Sequence, residues 1–194
     1  MERLPERGEG YGVAVRRWTV DDAPALHVLV AANVDHLRAR MAWIPDNPVG
    51  LAARRAQAEE WEQAWLAGCD VILGIFVAGV PVGGTGLHRR RGPDALEVGY
   101  WVDHGHLRQG IASRAAALVT DLAFAVPGVA RVAIGHDVEN DASRGVPTRL
   151  GFTCVGEERP TRPLAPADTG RDLLWELERS TWLERGGRTL PVPT

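Results

Sequence analysis

The first readable period along the chain is two. Val13, Val15 and Arg17 alternate with Ala14, Arg16 and Trp18, which predicts a strand with two distinct faces. Thr19 or Asp21 can cap the helix that follows, because a short polar side chain accepts from the free amides of a first turn. Leu26, Val30, Val34, Leu37 and Met41 then recur at spacings of three and four. One apolar face thus runs through two helical stretches, which Pro45 and Pro48 end. Another helix is predicted over Leu51–Leu66, with Leu51, Ala58, Trp61 and Trp65 on one stripe.

After Gly68 the strand period returns. Strands are predicted over Val71–Ala78, Val82–Arg89 and Leu96–Asp103, the first two joined at Gly79. A helix with Ile111, Ala115, Leu118 and Leu122 turned inward follows. Next come a strand over Val129–His136, a short helix over Asn140–Leu150, and strands over Phe152–Glu157 and Asp172–Glu178. Pro160–Gly170 carries three prolines and no period. This order predicts one α+β domain over residues 1–194, with a mixed, mostly antiparallel central sheet flanked by helices. Tails at about 1–10 and 186–194 are expected to fray. The simple βαβα alternation of a doubly wound nucleotide fold is not what the pattern describes.

Composition narrows the class further. With 45% apolar and 24% charged residues the chain reads as a soluble globular protein. No stretch approaches the roughly 20 apolar residues that span a bilayer. The N-terminus has no apolar run of a secretion signal, so a cytoplasmic location is expected. A formal charge of -3 gives no bulk attraction for nucleic acid. The basic run His88–Arg91 reads as a solvated hairpin loop, with a phosphate contact as its alternative. Cys69 and Cys154 have no metal-ligand spacing and read as reduced thiols. His104 and His106 lack a ligand partner at suitable spacing, so no metal is expected.

Candidate chemistry concentrates in Glu97–Arg114, a strand that runs through a loop into a helix. A helix that begins on small residues presents unpaired amides and a partial positive charge, which makes a phosphate seat. The loop has neither the G-x-x-x-x-G-K-S/T nor the G-x-G-x-x-G pattern, which weakens nucleotide hydrolysis and hydride transfer.

The seat residues Leu107-Arg108-Gln109-Gly110-Ile111-Ala112 resemble the R/Q-x-x-G-x-G/A loop of the GNAT acyl-CoA-dependent N-acetyltransferases. Gly99-Tyr100-Trp101-Val102-Asp103 is similar to the strand ending of their RimJ/RimL type. Glu139-Asn140-Asp141-Ala142-Ser143 with Leu150-Gly151-Phe152 resembles their E-N-x-x-S…L-G-F blocks. Asn33, His36-Leu37-Arg38 and Trp43 echo a helix motif of the same type. The likeness runs from about residue 12 to 180. It implies acetyl-CoA as co-substrate, no metal, and an acceptor that is a protein N-terminus or a small amine. A homodimer, a longer donor such as succinyl-CoA, and a non-catalytic acyl-CoA sensor stay open.

The resemblance also implies roles. Backbone amides of Leu107–Ala112 and Ser113 would hold the coenzyme pyrophosphate, and Asn140 and Ser143 its pantetheine end. Ser143, in the first turn of a helix, is the candidate proton donor to the thiolate. Glu97, on the strand beside the thioester, is the candidate base, against the plainer reading of a carboxylate satisfied by an Arg. Amides near Trp101 and Val102 would serve the oxyanion. Leu107 stands where the family usually has Arg or Gln. Pro147 stands where many relatives outside this type carry a Tyr that protonates the thiolate. It removes the helical bond to the Ser143 carbonyl and is expected to bend or shorten that helix.

Overall fold

The computed structural model describes residues 3–44, 49–160 and 162–187. Pro45, Pro48 and the tail beyond 187 lie outside the described residues. The chain begins with β1 (Arg7–Gly10), β2 (Val13–Arg17), α1 (Ala23–Arg38) and α2 (Leu51–Leu66). The antiparallel run β3 (Val71–Val77), β4 (Val80–His88) and β5 (Ala95–Val102) leads to α3 (Ile111–Ala125). Then come β6 (Arg131–Asp137), α4 (Asp141–Leu150), β7 (Thr153–Glu158), β8 (Asp172–Glu178) and α5 (Arg179–Glu184).

The strands form one sheet in the order β1-β2-β3-β4-β5-β6-β8-β7. Neighbours are antiparallel except β5 and β6, which run parallel. That parallel pairing covers only Ala95–Glu97 against Arg131–Ala133. Beyond Glu97 the two strands part, β5 continuing with β4 and β6 with β8. The sheet therefore has a gap in its middle.

The two sheet faces have separate cores. Leu87, Leu96, Val98 and Val102 pack with Val71, Leu73 and Ile75 under α3. The opposite face, carrying Phe76 and Trp101, packs against Trp18 and the α1 residues Leu26, Val30 and Leu37. Period two explains the split, because alternate side chains leave a strand on opposite sides. The indole of Trp101 lies so close over Gly84 that a Cβ there would stand 2.4 Å from its Nε1. Gly84 thus makes room for the aromatic wall described below.

Three expectations change. The segment expected as a frayed N-terminal tail contains β1, paired with β2 through Arg7–Gly10 against Val13–Arg16. Its charged and Gly residues show no apolar period, and its glycines let it press on α3: a Cβ on Gly8 would stand 3.1 Å from Leu122. The α2 stripe is rotated to Arg54, Ala58, Trp61 and Trp65, while Leu51 at the first position stays 39% exposed. Helix α5 had no sequence signal beyond Trp182, whose buried indole donates to Asp121 Oδ1 at 2.8 Å.

The turn into α1 also differs from expectation. Neither Thr19 nor Asp21 caps α1; Asp22 is its N-cap residue, without a side-chain capping bond. Asp22 instead accepts from the Thr19 amide at 2.9 Å and from Arg16 at 2.6 and 2.9 Å. The Arg16 bonds, helped by Thr19 and opposed by burial, hold the Asp22 carboxyl down at about 2. A carboxyl depressed in the folded state contributes stability that is full above the unfolded value of about 3.9 and is lost as pH falls from there through about 2. Asp22→Asn is therefore expected to unfold at lower urea than wild type at pH 7. The difference should shrink through pH 4 to 2; a difference that grows with acid would contradict the assignment.

Candidate active site

The seat forms where β5 leaves the sheet. Asn33, buried on α1, donates to Asp103 Oδ1 at 2.6 Å and accepts the His104 amide at 2.7 Å. His106 Nδ1 lies 2.6 Å from Asp103 Oδ2. The one loop between β5 and α3 is thereby tied to α1. Burial would raise the Asp103 carboxyl, but these bonds and the two histidines bring it below its ordinary value. The residue of the α1 motif thus acts on the seat through loop position.

Arg108 at φ +61° and Gly110 at φ +73° turn the chain into α3. No side chain caps the first turn, and a Cβ on Gly110 would meet nothing within 4 Å. The helix N-terminus therefore opens on free space. Arg108 and Gln109 are exposed, Ile111 anchors the first turn in the core, and Ala112 packs beside it. Leu107 points an exposed side chain outward and its amide donates to His104 O at 3.4 Å. Ser113 is buried, and its hydroxyl accepts from Arg149 Nη1 at 2.7 Å, which joins α3 to α4. Its side chain is thus committed to packing, and its first-turn amide is what remains for an anion.

At the gap, alternate β5 amides face opposite ways. The Asp103 amide donates to Val82 O at 2.8 Å, so the Trp101 amide points toward β4 as well. The amides of Tyr100 and Val102 then point into the gap. Of the two expected oxyanion donors, Val102 has the fitting direction and Trp101 does not.

Across the gap, α4 runs unbroken through Pro147 to Leu150 and closes on Gly151 at φ +82°. The helix is not cut short at Pro147, and the orphaned Ser143 carbonyl has another partner. The Tyr100 hydroxyl donates to Ser143 O at 3.2 Å and lies 3.0 Å from Ser143 Oγ. Burial raises the Tyr100 phenol well above its ordinary value, so it stays protonated as a donor. Asn140 Oδ1 accepts the Ser143 amide at 3.2 Å, which is a helix cap.

Glu97 is 5% exposed and sits between two guanidiniums. Oε1 accepts from Arg90 Nε at 2.9 Å and lies 2.7 Å from its Nη2; Oε2 accepts from Arg91 Nε at 2.5 Å. Arg91 reaches on to Glu158 at 2.6 Å. The expected base thus has both carboxylate oxygens in charge-assisted bonds to arginines, which is the geometry of the plainer reading. The basic run is likewise not a solvated loop, since Arg90 and Arg91 spend their charge on Glu97 and Glu158.

The chain matches the model of the acetyltransferase (GNAT) domain over residues 13–153. It belongs to the GNAT acetyltransferases. YdaF of Bacillus subtilis (strain 168), which carries the provisional name ribosomal N-acetyltransferase, is 27% identical over 149 residues, 76% of this chain and 81% of that protein. In fold the chain is similar to RimL, a ribosomal L7/L12 α-N-protein acetyltransferase solved with coenzyme A. The TM-score is 0.77 at 22% identity, covering 93% of this chain and 99% of that one. Mycobacterium smegmatis RimJ, solved with a coenzyme A disulfide, aligns with TM-score 0.74 at 20% identity, covering 95% and 93%.

As a GNAT N-acetyltransferase the chain draws its acetyl group from acetyl-CoA. The uncapped α3 N-terminus and the open space before Gly110 fit a pyrophosphate, and the free amides of β5 fit the arm behind it. Among the described residues no three His, Cys, Asp or Glu side chains gather as a metal site. No helix among them is long and apolar enough to cross a membrane.

On the α1/α2 face of the GNAT sheet lies a cavity of about 420 Å³. Trp43, Trp61 and Trp101 wall it, and the Trp43 and Trp101 rings stand 6.1 Å apart. Asn140 and Ser143 reach it from α4. The Pro-rich segment closes one end, contrary to its aperiodic look. Arg162 binds Asp168 at 2.5 Å and Asp172 at 3.0 Å, and Arg40 binds Asp137 at 3.3 Å. Thr169 donates its amide to Asp137 at 2.6 Å. Buried acids thus hold in place a loop whose sequence has no period.

Proposed function

We propose that this acetyltransferase modifies the α-amino group of a protein or peptide N-terminus in the cytoplasm. The carrying observation is the gap between β5 and β6, which joins the seat on one side of the sheet to an aromatic cavity on the other. The cavity is of the size that takes a small ligand or chain end. Its charged side chains are paired, Arg40 with Asp137, Arg90 with Glu97 and Arg162 with Asp168, so it favours an apolar or small residue beside the amine. An α-amine has a reference pKa of about 8 against about 10.4 for Lys, and is the easier of the two to neutralise. The name of YdaF supports the same acceptor class. Both cysteines are exposed free thiols, which suits a reducing compartment.

In this reading the first-turn amides of α3 hold the pyrophosphate, and the Val102 amide stabilises charge on the carbonyl oxygen. Bound acetyl-CoA supplies the thioester. Ser143 Oγ protonates the leaving sulfur, its position set by the Tyr100 hydroxyl 3.0 Å away. Thiol release from acetyl-CoA with N-terminal peptides, N-blocked Lys peptides and small amines tests the acceptor. Acetylation confined to Lys or small amines would overturn it. Ser143→Ala is expected to lower kcat by about 10²-fold with coenzyme affinity kept. The Asn140 cap uses the Ser143 backbone amide, which Ala retains, so a lost cap cannot mimic that result. An unchanged kcat would remove Ser143 from the chemistry.

A further inference from the structure

His88, the last residue of β4, stands opposite Glu97 in register and lines the cavity. Its Nδ1 lies 2.7 Å from Asp70 Oδ2, while Asp70 Oδ1 accepts the Arg89 amide at 2.8 Å. Asp70 is therefore held by the backbone and in turn holds the imidazole with Nδ1–H donating, which leaves the lone pair on Nε2. Burial would raise the Asp70 carboxyl, but the bonds from His88 and Arg89 and the charges of His88 and Arg90 bring it below its ordinary value. It stays an anion at neutral pH.

Nε2 looks over a floor of glycines. A Cβ on Gly86 would stand 3.1 Å from it, and one on Gly99 3.5 Å. Gly99 lies two residues past the last β5–β6 pair, so the ring borders the gap from the cavity side. Nε2 has no hydrogen-bond partner among the described residues, whereas the cavity's other charges are the three ion pairs named above. From α2 the cavity receives only the neutral Gln57 and Trp61. The second cavity histidine, His136, is committed at both nitrogens: Nδ1 to Asp137 O at 2.9 Å and Nε2 to the Trp175 indole at 3.0 Å.

We propose that His88 is the catalytic residue that takes the acceptor amine's proton, with Asp70 as its positioning residue. This rests on the transferase reading of the same cavity. The amine nitrogen's lone pair forms the new N–C bond and the C–S pair leaves on sulfur. One nitrogen proton passes to His88 Nε2 and from there to solvent, while sulfur gains one from Ser143 Oγ, which recovers its own from solvent. Acceptor and donor thus both line the one cavity at the gap.

His88→Asn keeps a donor near the Nδ1 position and deletes Nε2. With the best peptide acceptor and acetyl-CoA, kcat should fall about 10²-fold while coenzyme binding and melting temperature hold. The acidic limb of the kcat/KM–pH profile should vanish. Asp70→Asn should shift that limb to lower pH, since the imidazolium loses a neighbouring negative charge. A limb unchanged in both variants, with kcat within about twofold, would overturn the proposal and leave the transferase reading standing. Wild-type protein that releases no thiol with any acceptor would overturn both.

Discussion

Gly110→Asp is expected to lose coenzyme A binding by about 10²-fold or more while the protein folds as before. At this position φ is +73°, a conformation that Asp and Asn tolerate better than other non-Gly residues. The new side chain meets no atom within 4 Å of its Cβ, so sterics cost little. What changes is charge at the mouth of α3. A carboxylate about 5 Å from one phosphate charge costs about 3 kcal/mol at an effective dielectric of about 20, and a pyrophosphate carries more than one charge. Gly110→Asn has the same shape without the charge and is expected to bind within about tenfold of wild type. Calorimetric titration of coenzyme A into the three proteins separates the effects, and added salt should narrow the Asp–Asn difference. Equal affinity for Asp and Asn would show that the seat does not face the phosphates.

Glu97→Gln is expected to act first on stability. Removing one partner of a buried ion pair costs about 3–5 kcal/mol, because the remaining charge keeps its burial and loses its compensation. Arg91 is 10% exposed and held mainly by Glu97 and Glu158, so it carries that penalty; Arg90 at 31% can turn to solvent. The lower part of the range applies, which lowers the melting temperature by about 6–12 °C for a chain of this length. Thermal unfolding of the variant checks it. If melting stays within 2 °C while kcat falls and the acidic limb of the pH profile disappears, Glu97 is the base and the clamp is incidental.

Local chemistry was legible in the sequence and cross-strand chemistry was not. The strand, loop and helix of the candidate seat could be read because they are contiguous, with Gly110 just before the helix. Helix α2 was legible to the residue because Gly50 and Gly68 flank it. The clamp on Glu97 carries no signal without a register: Arg90 and Arg91 are seven and six residues away, and only the β4–β5 hairpin folds them back onto the carboxylate. The His88–Asp70 pair depends on how β3 and β4 align, and so carries no spacing signal. Pro147 did leave a clue. It announced a Ser143 carbonyl without its helical donor, and a donor had to come from elsewhere in the fold; Tyr100 is that donor.

The short parallel contact between β5 and β6 has a bearing on how this protein lives with its ligand. Among the described residues three residue pairs are the whole strand pairing between a five-strand leaf and a three-strand leaf. A molecule lying in the slit bonds both leaves at once and completes the stitching. Folding and occupancy are then linked, since whatever binds only the folded chain stabilises it in proportion to the logarithm of its concentration. Without that molecule the join beyond the three pairs rests on the shared core under α3 and on the bridges Tyr100–Ser143 and Arg91–Glu158.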